Sequence, residues 1–391
     1  MDKFRRLARK AFTLMFQALW VALIALGSAP QAQAFPELTR HGYANCTACH
    51  VSPNGGGVLT QYGRELSREI LSSWGTEREA QFLEGAFKSP EWLNAGGDIR
   101  VAQTFVDTSL VNLAQFFYMQ ADLELSATVG KLTADVSLGL DSVNGKDFPS
   151  EFLSRRHYLS YRFTDEFGLR VGRFYPAYGI NTPDHYIPIK RDLGFDSSQR
   201  TESYNVEASW LGDQWTIYAT GVFGRPDKAA LTREVGDAIS ASYFINEKFR
   251  VGLSQYYGTT DAGHRSLFGA FGILGFTHEF SLLTEIDMQK STSVAIPNVP
   301  SPVSVSDLAV YNKLGYEFVK GLNGFVTYEV WSPDFTAAPT GKSTAQFTYS
   351  VGAQWFPRPH FEFEAQYQKT QYRNPLGEYS DYIVLMGHYY L

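Results

Sequence analysis

Several features common among soluble proteins are scarce in this chain of 391 residues. Charged residues make up only 19%, the net charge is −6, and no lysine- or arginine-rich patch occurs after residue 34. A nucleic-acid-binding protein needs a basic face, so this composition excludes that class. Aromatic residues reach 15% and glycine occurs 34 times. Such an abundance of strand and turn formers excludes a disordered chain, a coiled coil and a collagen-like repeat.

Long apolar runs are also scarce, and the one that stands out lies near the amino terminus. It extends from Ala11 to Gly27 after a basic stretch, and an Ala-x-Ala site follows at residues 32–34. These features predict a secretory signal peptide over residues 1–34, cleaved near Ala34. The run is shorter than the ~20 residues that a membrane-spanning helix needs, which disfavours an uncleaved anchor. No cysteine directly follows it, which disfavours a lipoprotein anchor.

Only two cysteines occur, Cys46 and Cys49, and His50 comes directly after them. Cys-x-x-Cys-His is the attachment signature of c-type haem. The two thiols add to the haem vinyl groups, and the histidine becomes an axial ligand of the iron. The motif therefore predicts one covalent haem c held by Cys46, Cys49 and His50. A structural disulfide and a redox-active cysteine pair are the alternatives, because an exported chain enters an oxidising compartment.

The surroundings of this motif, residues 35–95, are short and irregular in pattern. Residues 53–57 contain proline, asparagine and three glycines, which predict a loop. Residues 63–74 and 77–87 carry apolar residues at helical spacing. We predict a mainly helical or irregular haem-binding segment, or plug, over residues 35–95. So short a segment buries a large cofactor poorly by itself, so it is expected to borrow walls from the chain that follows.

Alternation of apolar and polar residues begins near Gly96 and continues to the last residue. In residues 131–141, for example, Leu132 and Leu140 share one face and Asp135 lies on the other. A period of two predicts strands with one apolar and one polar face. We predict sixteen strands over residues 96–391, beginning near Gly96, Gln115, Lys131, Leu153, Phe167, Thr201, Gln214, Asp237, Lys248, Arg265, Thr277, Asp307, Gly321, Thr344, His360 and Tyr382.

The connections between these strands alternate strictly between tight turns, such as residues 274–275, and longer polar loops, the largest being residues 175–200 and 291–306. The long loops are expected to project outward at the end opposite the short turns. An even strand count, strands of about ten residues and plentiful aromatic residues are typical of outer-membrane barrels. The last strand, ending at Leu391, is similar to the carboxy-terminal strand by which such proteins are inserted. The predicted fold class is all-β, a 16-stranded antiparallel transmembrane β-barrel. A water-soluble all-β domain is the alternative, because soluble sandwiches also alternate.

The same alternation assigns many acidic residues to the barrel lumen. An acid-rich lumen favours cations over phosphate, although such residues also serve simply to solvate a water-filled pore. The predicted lumen-facing acids are Asp122, Glu124, Asp135, Glu207, Glu279, Glu285, Asp287, Glu362 and Glu364.

A sixth ligand to a haem iron is commonly methionine or histidine. Strand parity directs His360 and His388 into the lumen, on neighbouring strands near the rim where a plug would enter. His41 lies nine residues before His50 and is the local candidate, whereas His185 is interpreted as a solvated loop residue. The candidate sixth ligands are therefore His41, His360 and His388.

A c-type haem peptide followed by a sixteen-strand barrel resembles the fused monohaem cytochrome–porins of Gram-negative outer membranes, the type associated with oxidation of extracellular iron. The resemblance implies a bacterial outer-membrane location and contact with its lipid. It also implies electron transfer between an extracellular donor or acceptor, such as Fe(II), and a periplasmic c-type cytochrome. The stretch 172–179 is also similar to one in phosphate-selective porins, which supports the barrel more than it supports phosphate.

The leading functional hypothesis is thus an electron conduit rather than an enzyme. A diffusion porin whose haem segment serves as a plug or sensor is the alternative from another class. A peroxidase-like haem enzyme would need an open coordination position and a distal acid–base group. The sequence contains no Ser/His/Asp set, phosphate-binding loop or zinc-ligand spacing, so hydrolytic chemistry has no support.

Overall fold

The computed structural model describes residues 35–43, 46–81, 85–86, 90–141, 151–184, 187–195, 202–294, 303–335, 345–372 and 378–391. The predicted signal peptide and His185 lie outside the described residues. Among the described residues, no helix is long and apolar enough to cross a membrane.

The dominant element is one antiparallel sheet that closes on itself. Strand β1 pairs with β2, where Ile99 faces Ala121, and also with the last strand, where Ile99 faces Tyr389. Closure gives every strand two neighbours, so no sheet edge is left to expose unpaired backbone groups to lipid. The sixteen strands are β1 (Leu93–Thr108), β2 (Asn112–Val129), β3 (Leu132–Asp141), β4 (Glu151–Leu153 and His157–Arg162), β5 (Phe167–Phe174), β6 (Ser203–Leu211), β7 (Trp215–Gly224), β8 (Val235–Asn246), β9 (Phe249–Thr260), β10 (Gly263–Gly275), β11 (Phe280–Ser293), β12 (Ser304–Val319), β13 (Leu322–Ser332), β14 (Gln346–Trp355), β15 (Phe361–Tyr372) and β16 (Tyr379–Tyr390).

The sequence-based strand prediction is confirmed in number, and each strand begins within three residues of its predicted start. Strand β4 consists of two pieces, which are counted as one strand because both pair with β3. Strict alternation of long and short connections is wrong at two places. Only residues 109–111 separate β1 from β2, and only residues 261–262 separate β9 from β10, although both connections lie at the end of the barrel that carries the long loops.

The outer face of the barrel is apolar, as the period of two requires. Exposed aliphatic side chains cover the middle of the strands, and aromatic side chains lie nearer both ends, the arrangement of a membrane-spanning barrel. The aliphatic band includes Leu123, Leu138, Val171, Val206, Ile239, Leu253, Ile286, Val326 and Leu385. The aromatic residues include Phe163, Trp210, Trp215, Phe280, Phe318 and Trp355 towards the short turns and Phe105, Phe223, Tyr257, Phe268 and Tyr349 towards the loops.

The inner wall is polar. Seven of the nine acids assigned to the lumen are buried inside the barrel: Asp122, Glu124, Asp135, Glu207, Glu285, Asp287 and Glu362. Glu364 is half-buried on the same face, but the assignment of Glu279 is wrong. The turn between β10 and β11 occupies residues 276–279 rather than 274–275, which leaves Glu279 exposed in the turn.

The amino-terminal segment, residues 35–43 and 46–81, enters the lumen from the end that carries the short turns, here called the turn end. A 3₁₀ helix (Pro36–His41) ends at Gly42, whose φ of 87° is left-handed and favours glycine. Arg40 of this helix bonds Glu317 at 3.0 Å and Asn323 at 2.8 Å. The helix is thereby fixed to the inner side of β12 and β13. Farther along, helix α1 (Gln61–Leu66) continues as a π-helical turn (Ser67–Leu71).

The loop after β5 occupies the lumen from the opposite side, the loop end. This inner loop (residues 175–184 and 187–195) was expected to be polar and directed outward, but it folds into the barrel and includes helix α2 (Pro188–Arg191). Its apolar side chains Ile180, Ile187 and Leu193 are buried against the inner wall. Two polar contacts hold it there: Gly179 N–H donates to Ser254 at 2.9 Å, and Ile180 N–H donates to Glu285 at 3.1 Å.

The apolar band gives a direct test of lipid contact. Leu253 in the middle of β9 is 67% exposed, and Leu231 in the loop after β7 is 61% exposed. Leu253→Arg should lower the free energy of unfolding in lipid vesicles by about 2–4 kcal/mol, because it places a charge at mid-membrane depth. Leu231→Arg should have almost no effect, because water already surrounds that side chain. Equal effects of the two substitutions in urea titrations would contradict a membrane-spanning β9.

Candidate functional site

The Cys-x-x-Cys-His motif forms one compact turn. His50 N–H donates to Cys46 O at 3.1 Å, and Thr60 N–H donates to Cys49 O at 2.8 Å. Thr60 then caps α1, since its Oγ1 accepts from Gly63 N–H at 3.1 Å. Helix α1 therefore begins directly against the motif. The approach is so close that a Cβ at Gly63 would lie 2.4 Å from Cys49 O.

His50 is held by the loop that follows it. His50 and Leu59 form a β-bridge, and Val51 N–H donates to Val58 O at 3.0 Å. His50 Nδ1 lies 3.4 Å from Gly57 O. A carbonyl beside Nδ1 favours the tautomer that carries its proton there, which leaves Nε2 with a lone pair for a metal.

The barrel wall fixes the same loop from outside. Arg170 of β5 is buried and donates to Glu207 at 2.6 Å and to Ser52 at 3.1 Å. Tyr218 of β7 donates its hydroxyl proton to Pro53 O at 2.6 Å. Asn54 Nδ2 donates to Tyr175 O of the inner loop at 3.1 Å. The loop therefore contacts both the barrel and the inner loop.

Two adjoining cavities flank the motif. The larger, about 1210 Å³, is lined by His50, Leu59, Arg156, His388 and Tyr390 among others. The smaller, about 710 Å³, is lined by Cys46, Tyr178 and Arg250 among others. Both are also lined by Asn54 and Tyr175 and by the glycines of the loop.

Three buried polar atoms at the larger cavity lack a hydrogen-bond partner: Arg155 Nε, Arg156 Nη1 and His388 Nε2. Arg155 pairs with Asp122 at 3.3 Å through another nitrogen, and Arg156 pairs with Glu202 at 3.1 Å. Arg156 Nη1 also lies 4.0 Å from Glu124 Oε1. A buried polar atom without a hydrogen bond costs about 1–3 kcal/mol, so such atoms mark places where a bound group would be stabilised. Their arrangement suits a ligand that carries both a metal and carboxylates.

Of the three candidate sixth ligands, only His388 lines the cavity that His50 lines. His388 Nδ1 lies 2.8 Å from Glu362 Oε2. Its Nε2 lies 2.9 Å from Asp98 Oδ1, yet it makes no hydrogen bond of acceptable geometry. A carboxylate that accepts from Nδ1 orients a histidine whose Nε2 can bind a metal.

The other two histidines have different surroundings. His360 Nε2 donates to Glu79 O at 2.7 Å, so this side chain holds the amino-terminal segment. His41 Nε2 lies 2.8 Å from Glu317, at the turn end. Among the described residues, no group of three or more His, Cys, Asp or Glu side chains is arranged to hold a metal ion by itself.

Both cysteines are free thiols in this structure. Cys46 lines the smaller cavity, and burial raises the pKa of its thiol against the opposing effect of the Arg250 guanidinium. Cys49 has no exposed surface and packs with Leu66 and Tyr43. Burial similarly raises the pKa of Tyr43 to about 12. The sequence analysis did not predict Glu362 as the partner of His388, because no local pattern gives the register in which β15 pairs with β16.

No protein-family model matches the sequence, and no curated protein matches it. Solved structures match the fold. Outer-membrane-expressed OmpT of Vibrio cholerae is 13% identical, with a TM-score of 0.57, over 78% of this chain and 99% of its own. The outer-membrane channel DcaP of Acinetobacter baumannii is 12% identical, with a TM-score of 0.56, over the same shares. An anion-selective porin from Comamonas acidovorans is 10% identical, with a TM-score of 0.56, over 76% of this chain and 99% of its own.

These likenesses show the fold, a closed antiparallel β-barrel of the kind found in outer-membrane proteins. The exposed apolar band on the outside of the barrel suits contact with membrane lipid. Each of these structures leaves about a quarter of the chain unmatched.

The contact between α1 and the motif can be tested with Gly63→Ala. Its Cβ would overlap Cys49 O and lie 2.9 Å from Cys49 Cα, so the segment must shift. Trypsin should then cleave faster within residues 61–71, while the barrel resists. Gly221→Ala is the matched control, because its nearest neighbour would lie 3.6 Å away, an ordinary contact. Unchanged cleavage in Gly63→Ala would contradict the packing described here.

Proposed function

We propose that the chain binds one haem c in the paired cavities and passes electrons across the outer membrane. The observation that carries the proposal is that Cys46, His50 and His388 border adjoining cavities inside a closed barrel. When bound, haem c supplies an iron that takes up and releases single electrons without leaving the protein. The chain itself must hold the haem, exclude water from it and leave it accessible to electron partners at both barrel ends.

Each cavity residue has a distinct task in this proposal. Cys46 and Cys49 would hold the group covalently, and His50 Nε2 would bind the iron while Gly57 O fixes the ring. His388 would supply the sixth ligand, with Glu362 as the carboxylate that orients it. Arg155 and Arg156 would pair with the haem carboxylates through their unpartnered nitrogens.

Covalent attachment is tested by haem staining after denaturing electrophoresis. Wild type produced with haem-maturation machinery should give a stained band at its own mass, because thioether bonds survive denaturation. The Cys46→Ala, Cys49→Ala double variant should fold into the same barrel and lose the stain. A wild-type band without stain would refute the haem proposal.

The His388 assignment is tested by the absorption spectrum of the ferric protein. His388→Ala should change the low-spin spectrum of wild type, because it removes the sixth ligand, and added imidazole should restore it. His360→Ala and His41→Ala serve as matched controls. Each histidine makes a contact between the barrel and the amino-terminal segment, to Glu79 and Glu317 respectively, and neither lines the cavity of His50. A wild-type spectrum in His388→Ala, in a barrel of normal stability, would eliminate His388 as a ligand.

Contacts at both barrel ends support conduction. At the turn end, the amino-terminal segment meets the rim, where Ser73 N–H donates to Phe356 O at 2.8 Å. This end is where a periplasmic c-type cytochrome would dock. Towards the loop end, the rings of Tyr178 and Phe195 stack with centroids 4.2 Å apart, and Tyr256 meets Phe195 edge-on at 5.0 Å. These rings connect the Cys46 cavity with the loop end by close-packed atoms.

Vesicles that enclose an oxidised c-type cytochrome test conduction. Fe(II) added outside should reduce the enclosed cytochrome through wild type, whereas the barrel with Cys46→Ala and Cys49→Ala should give only the rate of protein-free vesicles. Equal rates through the two proteins would refute conduction even if haem is bound.

A diffusion porin whose amino-terminal segment acts as a plug is the second candidate. Its support is that the structural neighbours include a channel and a porin. Against it, two chain segments occupy the lumen from opposite ends and meet at Asn54.

A further inference from the structure

A third cavity, here called the outer vestibule, lies at the loop end between the inner loop and strands β6, β7, β9 and β10. Its volume, with the space open to solvent included, is about 710 Å³. Three aromatic residues form part of its wall, Tyr175 and Phe195 of the inner loop and Tyr256 of β9. None of them belongs to the haem motif or its loop. The vestibule is lined by Tyr175, Pro176, Gly194, Phe195, Ser203, Val222, Gly224, Arg225, Lys228, Thr232, Arg233, Glu234, Tyr256 and Arg265.

The charges around the vestibule are unbalanced. Arg225, Lys228, Arg233 and Arg265 line it, against the single acid Glu234. The lumen below contains buried arginines and lysines as well as acids, whereas cations outnumber acids four to one in the lining of the vestibule. Low-dielectric walls focus the field of such a cluster and raise the local concentration of anions.

Arg265 is built into the wall. It forms two bonds with Glu234, at 2.6 and 2.8 Å, and also donates to Leu193 O of the inner loop. Its guanidinium lies 5.3 Å from the ring centroid of Phe195 and 5.0 Å from that of Tyr256. The acid of the vestibule is therefore neutralised by an internal partner.

Two of the remaining cations are available. Within the part of the chain that the structure describes, the side chains of Lys228 and Arg233 form no ion pair or hydrogen bond. Arg225 is paired with Asp227, at 2.9 Å. An ammonium and a guanidinium together suit a group with several oxygen atoms, since arginine binds carboxylate or phosphate through two parallel bonds.

We propose that the outer vestibule binds a small anion carrying carboxylate or phosphate groups, with Lys228 and Arg233 as its main contacts. Phe195 stacks on Tyr178, which lines the cavity of Cys46, and Tyr175 lines both the vestibule and that cavity. If the anion is a metal chelate, it would lie beside the contacting rings of Phe195 and Tyr256 and would serve as the external electron partner. That role, unlike the binding itself, rests on the proposed function.

The test is calorimetric titration of the full-length protein in detergent at low salt, with citrate as the first probe and with inorganic phosphate and ferric citrate in parallel. The Lys228→Gln, Arg233→Gln double variant should bind the probe that wild type binds at least tenfold more weakly. The Lys131→Gln, Arg162→Gln double variant is the matched control, because it removes the same charges from exposed residues at the turn end and should bind as wild type does.

The outcomes distinguish this site from the conduit. The vestibule proposal would be overturned if wild type bound none of the probes. It would also be overturned if both double variants bound equally weakly, because that result would show only a general attraction of anions to positive charge. Binding by the Cys46→Ala, Cys49→Ala barrel should match wild type, because the vestibule does not include the motif. A protein that binds citrate but takes up no haem would thus retain the vestibule and lose the conduit.

Discussion

The position of the haem motif depends on the hydrogen bonds of one buried residue, Arg170. Its guanidinium is buried inside the barrel, where a charge is stable only if paired and hydrogen-bonded. Glu207 on the neighbouring strand provides the charge, and Ser52 accepts one of the remaining protons. The loop that follows His50 thereby supplies one of the hydrogen-bond acceptors of a buried barrel cation. Without Ser52, one N–H group of Arg170 would lose this acceptor inside the barrel, so the segment and the barrel stabilise each other.

This arrangement has a consequence for the lumen. The loop held by Arg170 also meets the inner loop, since Asn181 Nδ2 donates to Asn54 O at 2.8 Å and Asn54 Nδ2 donates to Tyr175 O. One segment enters from the turn end and the other from the loop end, and the cavities that border Cys46 and His50 lie where they meet. A barrel filled in this way suits transfer of electrons through packed atoms better than diffusion of solutes through water.

Much of the barrel could be predicted from the sequence because its signal is local. Alternation such as that of Leu132, Asp135 and Leu140 reports which face meets lipid, so strand number and direction of side chains follow without long-range information. Parity similarly directed His360 and His388 inward, and both are buried. It could not tell which of them lines the cavity of His50. That depends on the pairing of β15 with β16 and of β16 with β1, which brings Glu362 and Asp98 to His388.

The position of the inner loop, in contrast, could not be predicted from the sequence. Its isoleucines, Ile180, Ile187 and Ile189, follow neither a strand nor a helix period, so loop length was the only available signal and it suggested an outward loop. The structure shows that these side chains pack on the inner wall beside Leu267 and Leu283. The apolar residues of the inner wall that contact this loop are far from it in the sequence. They interrupt the polar inner pattern of their strands, but nothing local connects them with residues 175–195.

The central claim is that both segments fill the lumen around the cavities beside the haem motif. Ion current through single barrels in a planar bilayer measures this most directly, with wild type compared with a barrel that lacks residues 35–90. The account predicts that wild type is electrically silent and that the shortened barrel conducts steadily. A steady ohmic current through wild type, equal to that of the shortened barrel, would contradict it and favour a diffusion porin.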